Sequence, residues 1–252
     1  MPRYKILIEY NGANYCGWQK QPNGATVEEE IEKALSRILR QPVDIIGQGR
    51  TDSGVHAEGQ VAHFDFPESL DRDRLLYALL GVLPHDIAVW DMREVASDFH
   101  ARFDALFRRY RYQIALRSAP LLRQTSEMVL NELDLEAMHS CAQKIVGTHN
   151  FDSFTKPDND NLGSECEVQI SEFSYEEPLL IYRIQANRFV HHMVRRLVGT
   201  MIEVGKGKRT THEFIDMLDN PSKKKNGFGA AAKGLILEKV GYKKSKISLD
   251  LS

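Results

Sequence analysis

Cysteine is scarce in this 252-residue chain: only Cys16, Cys141 and Cys166 occur. They make no Cys-x-x-Cys pair and no even set, so neither a disulfide framework nor a structural zinc is expected. The chain reads as a reduced, cytoplasmic protein. No run of about 18 apolar residues occurs, so no membrane-spanning helix is expected. The opening Met1-Pro-Arg-Tyr-Lys5 lacks the apolar stretch of a secretory leader. Nucleotide-binding motifs are also missing. Gly49 to Gly54 and Gly229 to Gly234 have the glycine spacing of a phosphate loop, but Val55 and Leu235 stand where its lysine belongs. There is no Gly-x-Gly-x-x-Gly, no Gly-x-Ser-x-Gly and no His-Glu-x-x-His. His191 and His192 are adjacent on a predicted helix and point about 100° apart. His56, His63 and His100 with Asp52 have no standard ligand spacing, so no metal is expected. An excess of one charge is absent as well: 33 Lys and Arg meet 35 Asp and Glu, for a formal net of −2. That excludes a globally basic polyanion binder but not a local basic face.

The charge that is present is segregated. From His100 to Gln124, six Arg meet one Asp. From Arg183 to Thr210, seven Lys and Arg meet one Glu. From Pro221 to Ser252, eight Lys meet two acids. Between Ser126 and Leu180, two Lys face twelve acids. Such blocks suggest a basic surface for a polyanion with acidic surface elsewhere, provided that segregation along the chain becomes segregation in space.

Patterning predicts strands and helices in both halves without regular βαβ alternation. Tyr4–Tyr10, Val43–Gly47, Gln60–Phe66 and Ala88–Val95 read as strands, and Arg72–Leu83 as a helix stopped by Pro84. Thr26 and Glu29 form a capping box for a helix carrying Val27, Ile31, Leu35 and Ile38 on one face. Phe107–Arg117 alternates, with Tyr110, Tyr112, Ile114 and Leu116 on one face and Arg109, Arg111 and Arg117 on the other. An arginine-lined strand face repels itself unless something anionic covers it. A helix over Leu135–Val146 closes at Gly147, and residues 152–165 form a long loop. Glu167–Tyr175 and Leu179–Ala186 make a hairpin around Pro178. Phe189–Val204 is a helix, Thr210 and Glu213 cap a short helix to Leu218, and Leu235–Val240 is the last strand. The class is α+β, with an N-terminal half over 1–104, a C-terminal half over 105–242 and a lysine-rich tail over 243–252.

The densest polar, glycine-flanked loop is Gly47 to Ala57. Asp52 lies two residues after Arg50, between Gly49 and Gly54. Glycines allow tight turns and close ligand approach. An Arg beside a carboxylate keeps it ionised, and an ionised carboxylate serves as nucleophile or base. An Arg–Asp surface pair at a turn satisfies the same spacing.

Gly49-Arg-Thr-Asp-Ser-Gly-Val-His56 resembles the catalytic signature of the TruA family of tRNA pseudouridine synthases. Further blocks resemble the family in the same order. They are Tyr10-Asn-Gly12 with Tyr15-Cys-Gly-Trp-Gln19, Phe99-His-Ala-Arg-Phe103, Arg108-Arg-Tyr-Arg-Tyr112, Phe151-Asp-Ser-Phe154, and Ala186-Asn-Arg-Phe-Val-His-His-Met-Val-Arg-Arg196. The resemblance runs from Tyr4 to about Gly241. Two departures stand out. Ser53 follows the aspartate where the family usually has Ala. Gly229-Ala-Ala-Ala-Lys-Gly-Leu235 stands where the family often has a proline-containing segment before Gly-Leu.

The resemblance implies a pseudouridine-synthase fold: two sheet-bearing halves forming an extended, mixed, mostly antiparallel sheet flanked by helices, with a cleft between the halves. It implies isomerisation of uridine to pseudouridine in the tRNA anticodon stem-loop, at positions 38, 39 and/or 40, by a homodimer, without metal or cofactor. By the same resemblance, Asp52 is the catalytic nucleophile or base and Arg50 pairs with it and helps hold the flipped nucleotide. Tyr110 stacks on the target base, Arg195 lies near the carboxylate, and Leu235 walls the base pocket. On their own patterns Tyr110 and Leu235 also read as core, and Arg195 as a phosphate-contacting or solvated helix residue. A non-catalytic RNA-binding module would retain RNA affinity without isomerising uridine. A hydrolase would need a partner acid for Asp52, and none is evident.

Overall fold

The computed structural model describes residues 1–156 and 163–243. The middle of the expected 152–165 loop, 157–162, and the tail beyond 243 lie outside the described residues. Among those described there are ten strands and five α-helices, as expected of an α+β chain. Most strand pairs are antiparallel, and one, between the strands at Ala105–Ala115 and Glu127–Met128, is parallel. None of the described helices is long and apolar enough to cross a membrane. The chain divides into two compact units, Met1–Leu106 with the chain from Leu237, and Phe107–Ile236.

In the first unit, β1 (Arg3–Tyr10) lies between β4 (Ile87–Val95) and β3 (His56–Asp65), antiparallel to both. β10 (Leu235–Tyr242) follows on the far side of β3. Tyr4, Ile6, Ile8 and Tyr10 alternate into the core of β1, the period-2 pattern that the sequence shows. β3 departs from that pattern. Val61, Ala62, His63 and Phe64 are all buried, because both of its faces are covered. Helices α1 (Val27–Leu39) and α2 (Arg72–Leu80) pack on each other, and α2 also packs on β4. Val27, Ile31 and Leu35 are buried along α1, as their spacing predicts.

Three local expectations change here. The strand expected over Val43–Gly47 shrinks to β2, Ile46–Gly47. Ahead of it, helix α1 supplies the acceptors that a partner strand would have supplied: Val43 N–H donates to Ser36 Oγ at 2.9 Å, and Ile45 N–H to Glu32 Oε1 at 3.1 Å. The capping box of α1 is half made. Thr26 Oγ1 accepts from Glu29 N–H, but the Glu29 carboxylate pairs with Lys33 at 3.2 Å, one helical turn on. Helix α2 ends at Leu80, capped by Gly81, rather than running to Leu83.

In the second unit the strand order is β5 (Ala105–Ala115), β9 (Leu179–Ala186), β8 (Glu165–Glu176) and β7 (Gly147–Asn150), with the two-residue β6 (Glu127–Met128) parallel to β5. β8 and β9 form the expected hairpin at Pro178. Helix α3 (Leu135–Lys144) packs on β8 and on α4 (Met193–Gly205) and α5 (Thr211–Asp219). α5 carries its complete capping box: Glu213 N–H donates to Thr210 Oγ1, and Thr210 N–H donates to Glu213 Oε2. α4 begins four residues later than the pattern predicts. His192 has φ +65, and the His191 carbonyl accepts from Lys156 N–H at 3.1 Å and Thr155 Oγ1 at 3.2 Å instead of from the helix. The two histidines therefore sit in the turn before α4, rings 4.2 Å apart, and not 100° apart on a helix.

Histidines tie the first unit together. His63 Nδ1 accepts from Ala101 N–H at 3.2 Å, and the ring is 2% exposed. His100 Nδ1 accepts from Arg102 N–H at 3.1 Å. Burial lowers the His63 pKa to about 4, with the charges of Arg3 and His100 acting in the same direction. Asp65 and a hydrogen bond to the Ile46 backbone act against them. Above pH 6.5 His63 is neutral in both folded and unfolded chains and contributes no pH dependence. Between 6.5 and 4 the unfolded chain takes up a proton that the folded one refuses. Stability is therefore expected to fall with pH by up to ~1.4 kcal/mol per unit. His63→Gln keeps an acceptor for Ala101 N–H and does not titrate. Urea unfolding at pH 7.5 and pH 5 is expected to show a loss about 2 kcal/mol smaller in the variant. Equal losses would remove His63 as the cause.

Candidate active site

The loop between β2 and β3 carries Asp52, and the opening segment of the chain holds it in shape. Trp18 N–H donates to Thr51 O at 3.2 Å, and Tyr10 Oη and Thr51 Oγ1 share a hydrogen bond of 2.8 Å. On the other side of the aspartate, Ser53 Oγ donates to Tyr15 O at 3.1 Å, and Gly12 N–H donates to His56 Nδ1 at 3.0 Å. Within the loop, Val55 N–H closes a turn onto Asp52 O at 3.1 Å. At its base Gln48 N–H reaches Val61 O and Gln60 Nε2 reaches Gly49 O. Thr51, Val55 and His56 are buried and Asp52 is half-buried, so the neighbours that hold the aspartate are fixed.

These contacts need backbone approach closer than a side chain permits. A Cβ on Gly12 would lie 2.0 Å from Val55 O, and one on Gly17, at φ +92, would lie 2.4 Å from Thr51 O. The sequence blocks Tyr10–Gln19 and Gly49–His56 are thus two sides of one assembly. Of the two glycines bracketing Asp52, Gly54 has the positive φ, +77, that favours glycine. Gly49 has open space where a Cβ would stand.

Arg50 is exposed, and the hydrogen bond the structure gives it runs from Nε to Gln19 Oε1 at 3.2 Å. Gln19 in turn donates from Nε2 to Glu28 Oε2 at 2.6 Å, and Lys20 N–H donates to the same oxygen at 2.8 Å. Burial raises the Glu28 pKa; the hydrogen bond from Lys20 and the charge of Arg50 oppose it. Gln19 therefore orients the Arg50 guanidinium from a buried carboxylate. His56, weighed in the sequence as a metal ligand with Asp52, uses Nδ1 to hold the Gly12 backbone.

In the second unit, Tyr110 lies on β5 opposite Ile184 of β9. It is 8% exposed, with the Phe189 ring edge-on at 5.2 Å and 86°. Arg195 lies in the first turn of α4, half-buried, and its Nε donates to Ala230 O at 2.9 Å. Leu235 opens β10 and is 6% exposed. On the arginine face of β5, Arg109 is met by a neutral group: its Nε and Nη2 both donate to Gln185 Oε1, at 3.0 and 2.8 Å. Arg196, next to Arg195, donates to Asn226 Oδ1 at 2.9 Å, and burial and the Arg195 charge lower its pKa. Acceptors of this kind orient a guanidinium without cancelling its charge, which leaves attraction for phosphate.

Several supporting residues carry roles that the sequence does not announce. Tyr10, Gly12, Gly17 and Gln19 stand inside a recognised block, so their place was signalled but not their task. Phe189 likewise stands inside a recognised block, whereas Glu28 and Gln185 give no sequence signal beyond the helix or strand they occupy.

A family profile described as tRNA pseudouridine synthase matches residues 6–104 and 141–243. The tRNA pseudouridine synthase A of Bacteroides thetaiotaomicron is 41% identical over 245 residues, covering 96% of this chain and 91% of that protein. Those of Bacteroides fragilis and an Exiguobacterium species are each 40% identical, covering 95% and 97% of this chain and 96% and 99% of theirs. On matches of this length and identity, the chain belongs to the tRNA pseudouridine synthase family, a family of isomerases.

Proposed function

We propose that the chain isomerises uridine in the anticodon stem-loop of tRNA, at positions 38, 39 and/or 40, with Asp52 as its catalytic residue. The observation that carries this reading is the Asp52 loop. A carboxylate is presented half-buried on a backbone laced to Tyr10–Trp18, inside a chain of this family. The reaction is balanced within the nucleotide. The bond from C1′ to N1 breaks, the base turns, a bond from C1′ to C5 forms, and the C5 proton is replaced by one at N1. No electron pair leaves the substrate, so the chemistry calls for a positioned acid–base or nucleophilic group rather than a redox cofactor. Asp52 serves either by adding to C1′ as N1 departs or by taking a sugar proton to leave a glycal. Both routes use the carboxylate in its ionised form.

A base cannot turn while stacked in a helix, so it is first extruded at a cost of a few kcal/mol. Stacking on Tyr110 offsets about 1–3 kcal/mol of that. Arg50 and Arg195 hold the extruded nucleotide, and Leu235 walls the base. Arg109, Arg111 and Arg196 contact phosphates and set the register of the stem, so affinity is expected to weaken with salt. By the same family resemblance, the working form is a cytoplasmic homodimer.

The test uses an unmodified tRNA transcript with uridine at 38–40, incubated with wild type and variants and mapped for pseudouridine by carbodiimide labelling and primer extension. Wild type is expected to modify this region. Asp52→Ala and Asp52→Asn are expected to lose turnover while keeping their fold and most tRNA affinity. Comparable turnover by either variant removes Asp52 from the chemistry. Tight tRNA binding with no pseudouridine from wild type favours a non-catalytic RNA-binding module. Tyr110→Phe keeps the ring and loses the hydroxyl; its kcat is expected to fall about tenfold or more. A wild-type kcat would leave Tyr110 with stacking alone.

A further inference from the structure

The segment from Gly229 to Leu235, which departs from the family's proline-containing pattern, is held by Tyr112 and Arg195 and by Glu127, which no sequence motif signals. Glu127, on β6, lies at its centre. Its Oε2 accepts from Ala231 N–H at 3.0 Å and from the Tyr112 hydroxyl, and Tyr112 Oη also lies 2.8 Å from Ala231 O. The carboxylate oxygen thus holds the Ala231 N–H, and the Tyr112 hydroxyl, with its one proton, stands between that carboxylate and the Ala231 carbonyl. The grip continues on either side. Arg195 holds Ala230 at both ends, with Nε donating to its carbonyl at 2.9 Å and the Arg195 carbonyl accepting from its N–H at 3.0 Å. Gly234 lies against the Tyr112 ring so closely that a Cβ would come within 2.5 Å of it. Leu235 is the next residue.

Ala231 has φ −60 and ψ 140, a conformation that proline holds by its ring. Here the ring is absent and an N–H is present, and that N–H is what Glu127 binds. The carboxylate does by hydrogen bonding what a ring would do covalently.

We infer that Glu127 is a positioning residue of the base pocket: by fixing Ala231 directly and through Tyr112, it sets the path that places the Arg195 guanidinium and the Leu235 side chain. This rests on the reading above in which Arg195 and Leu235 contact the nucleotide. Glu127 lies outside the residues that the family profile matches. Its effect should fall on the chemical step more than on tRNA capture, because capture depends mainly on phosphate contacts elsewhere.

The experiment compares wild type, Glu127→Gln, Glu127→Ala, Ala231→Pro and the double variant Glu127→Ala/Ala231→Pro in single-turnover and steady-state assays on the same tRNA. Hydrogen exchange of the peptide covering residues 230–236 is followed in parallel. Glu127→Gln keeps an acceptor and is expected to stay within about threefold of wild type in kcat. Glu127→Ala is expected to lose about tenfold in kcat with KM changed less than threefold, and to lose protection at 232–235. The double variant is expected to recover most of both, because proline restores the backbone conformation without restoring the carboxylate. That recovery would not follow from a general loss of stability. A Glu127→Ala variant with wild-type kcat overturns the inference, as does a double variant no better than Glu127→Ala. If wild type itself makes no pseudouridine, the assignment of the reaction fails. The exchange data then decide separately, and unchanged protection in Glu127→Ala overturns the role of Glu127.

Discussion

The acceptance of the Trp18 N–H by the Thr51 carbonyl is the contact on which the Asp52 loop depends. It brings the opening segment alongside the loop that carries Asp52. Gly17 permits the approach by having no Cβ, and the Tyr10 hydroxyl secures Thr51 from the strand side. A carboxylate with the role proposed for Asp52 needs placement within about half an ångström. Loops achieve that only when their backbone is satisfied by rigid neighbours, and here β1, the turn after it and the start of β3 supply those neighbours. The polar side chains around the loop are committed to backbone atoms: His56 to Gly12, Ser53 to Tyr15 and Gln60 to Gly49.

The second unit uses the same economy of means. Two of its arginines are aligned by neutral amides, while Arg183 and Arg209 pair with Glu176 and Glu203. Arg109 against Gln185 and Arg196 against Asn226 show the pattern. Neutral acceptors fix direction and leave charge available, which reconciles a formal net of −2 with a chain that must hold a polyanion. The acids of the unit are spent elsewhere, on helix caps at Asp134 and Glu213, on the pairing of Glu176 with Arg183, and on the Glu127 grip.

Much of this was legible beforehand. β1, β4, β9 and α5 stand within a residue or two of the patterns that predict them, since alternation and capping are local properties. Two of the places where local reading fails share a cause. The Val43–Gly47 strand is shortened because α1 offers Ser36 and Glu32 to its amides, and α4 starts late because Thr155 and Lys156 take the His191 carbonyl. In each case a group outside the expected element competes for a backbone hydrogen bond: Ser36 and Glu32 lie 7 and 13 residues before the amides they accept from, and Thr155 lies 36 residues before His191. The same holds for the site. Asp52, Arg50, Tyr110, Arg195 and Leu235 were named from blocks of sequence. That Arg50 leans on Gln19, and that Arg195 clasps Ala230, depends on pairs 31 and 35 residues apart.

By itself the sequence determined the α+β class, the ordered family blocks and which loop carries the aspartate. These follow from periodicity, capping and motif, which are read along the chain. The tertiary structure alone decided that Tyr10–Trp18 laces the Asp52 loop, and that three histidines act as acceptors for backbone amides. It also decided that an alanine at φ −60 is held by Glu127, 104 residues away. A buried amide must find a partner wherever the fold brings one within about 3 Å, and that distance is set in space rather than along the chain.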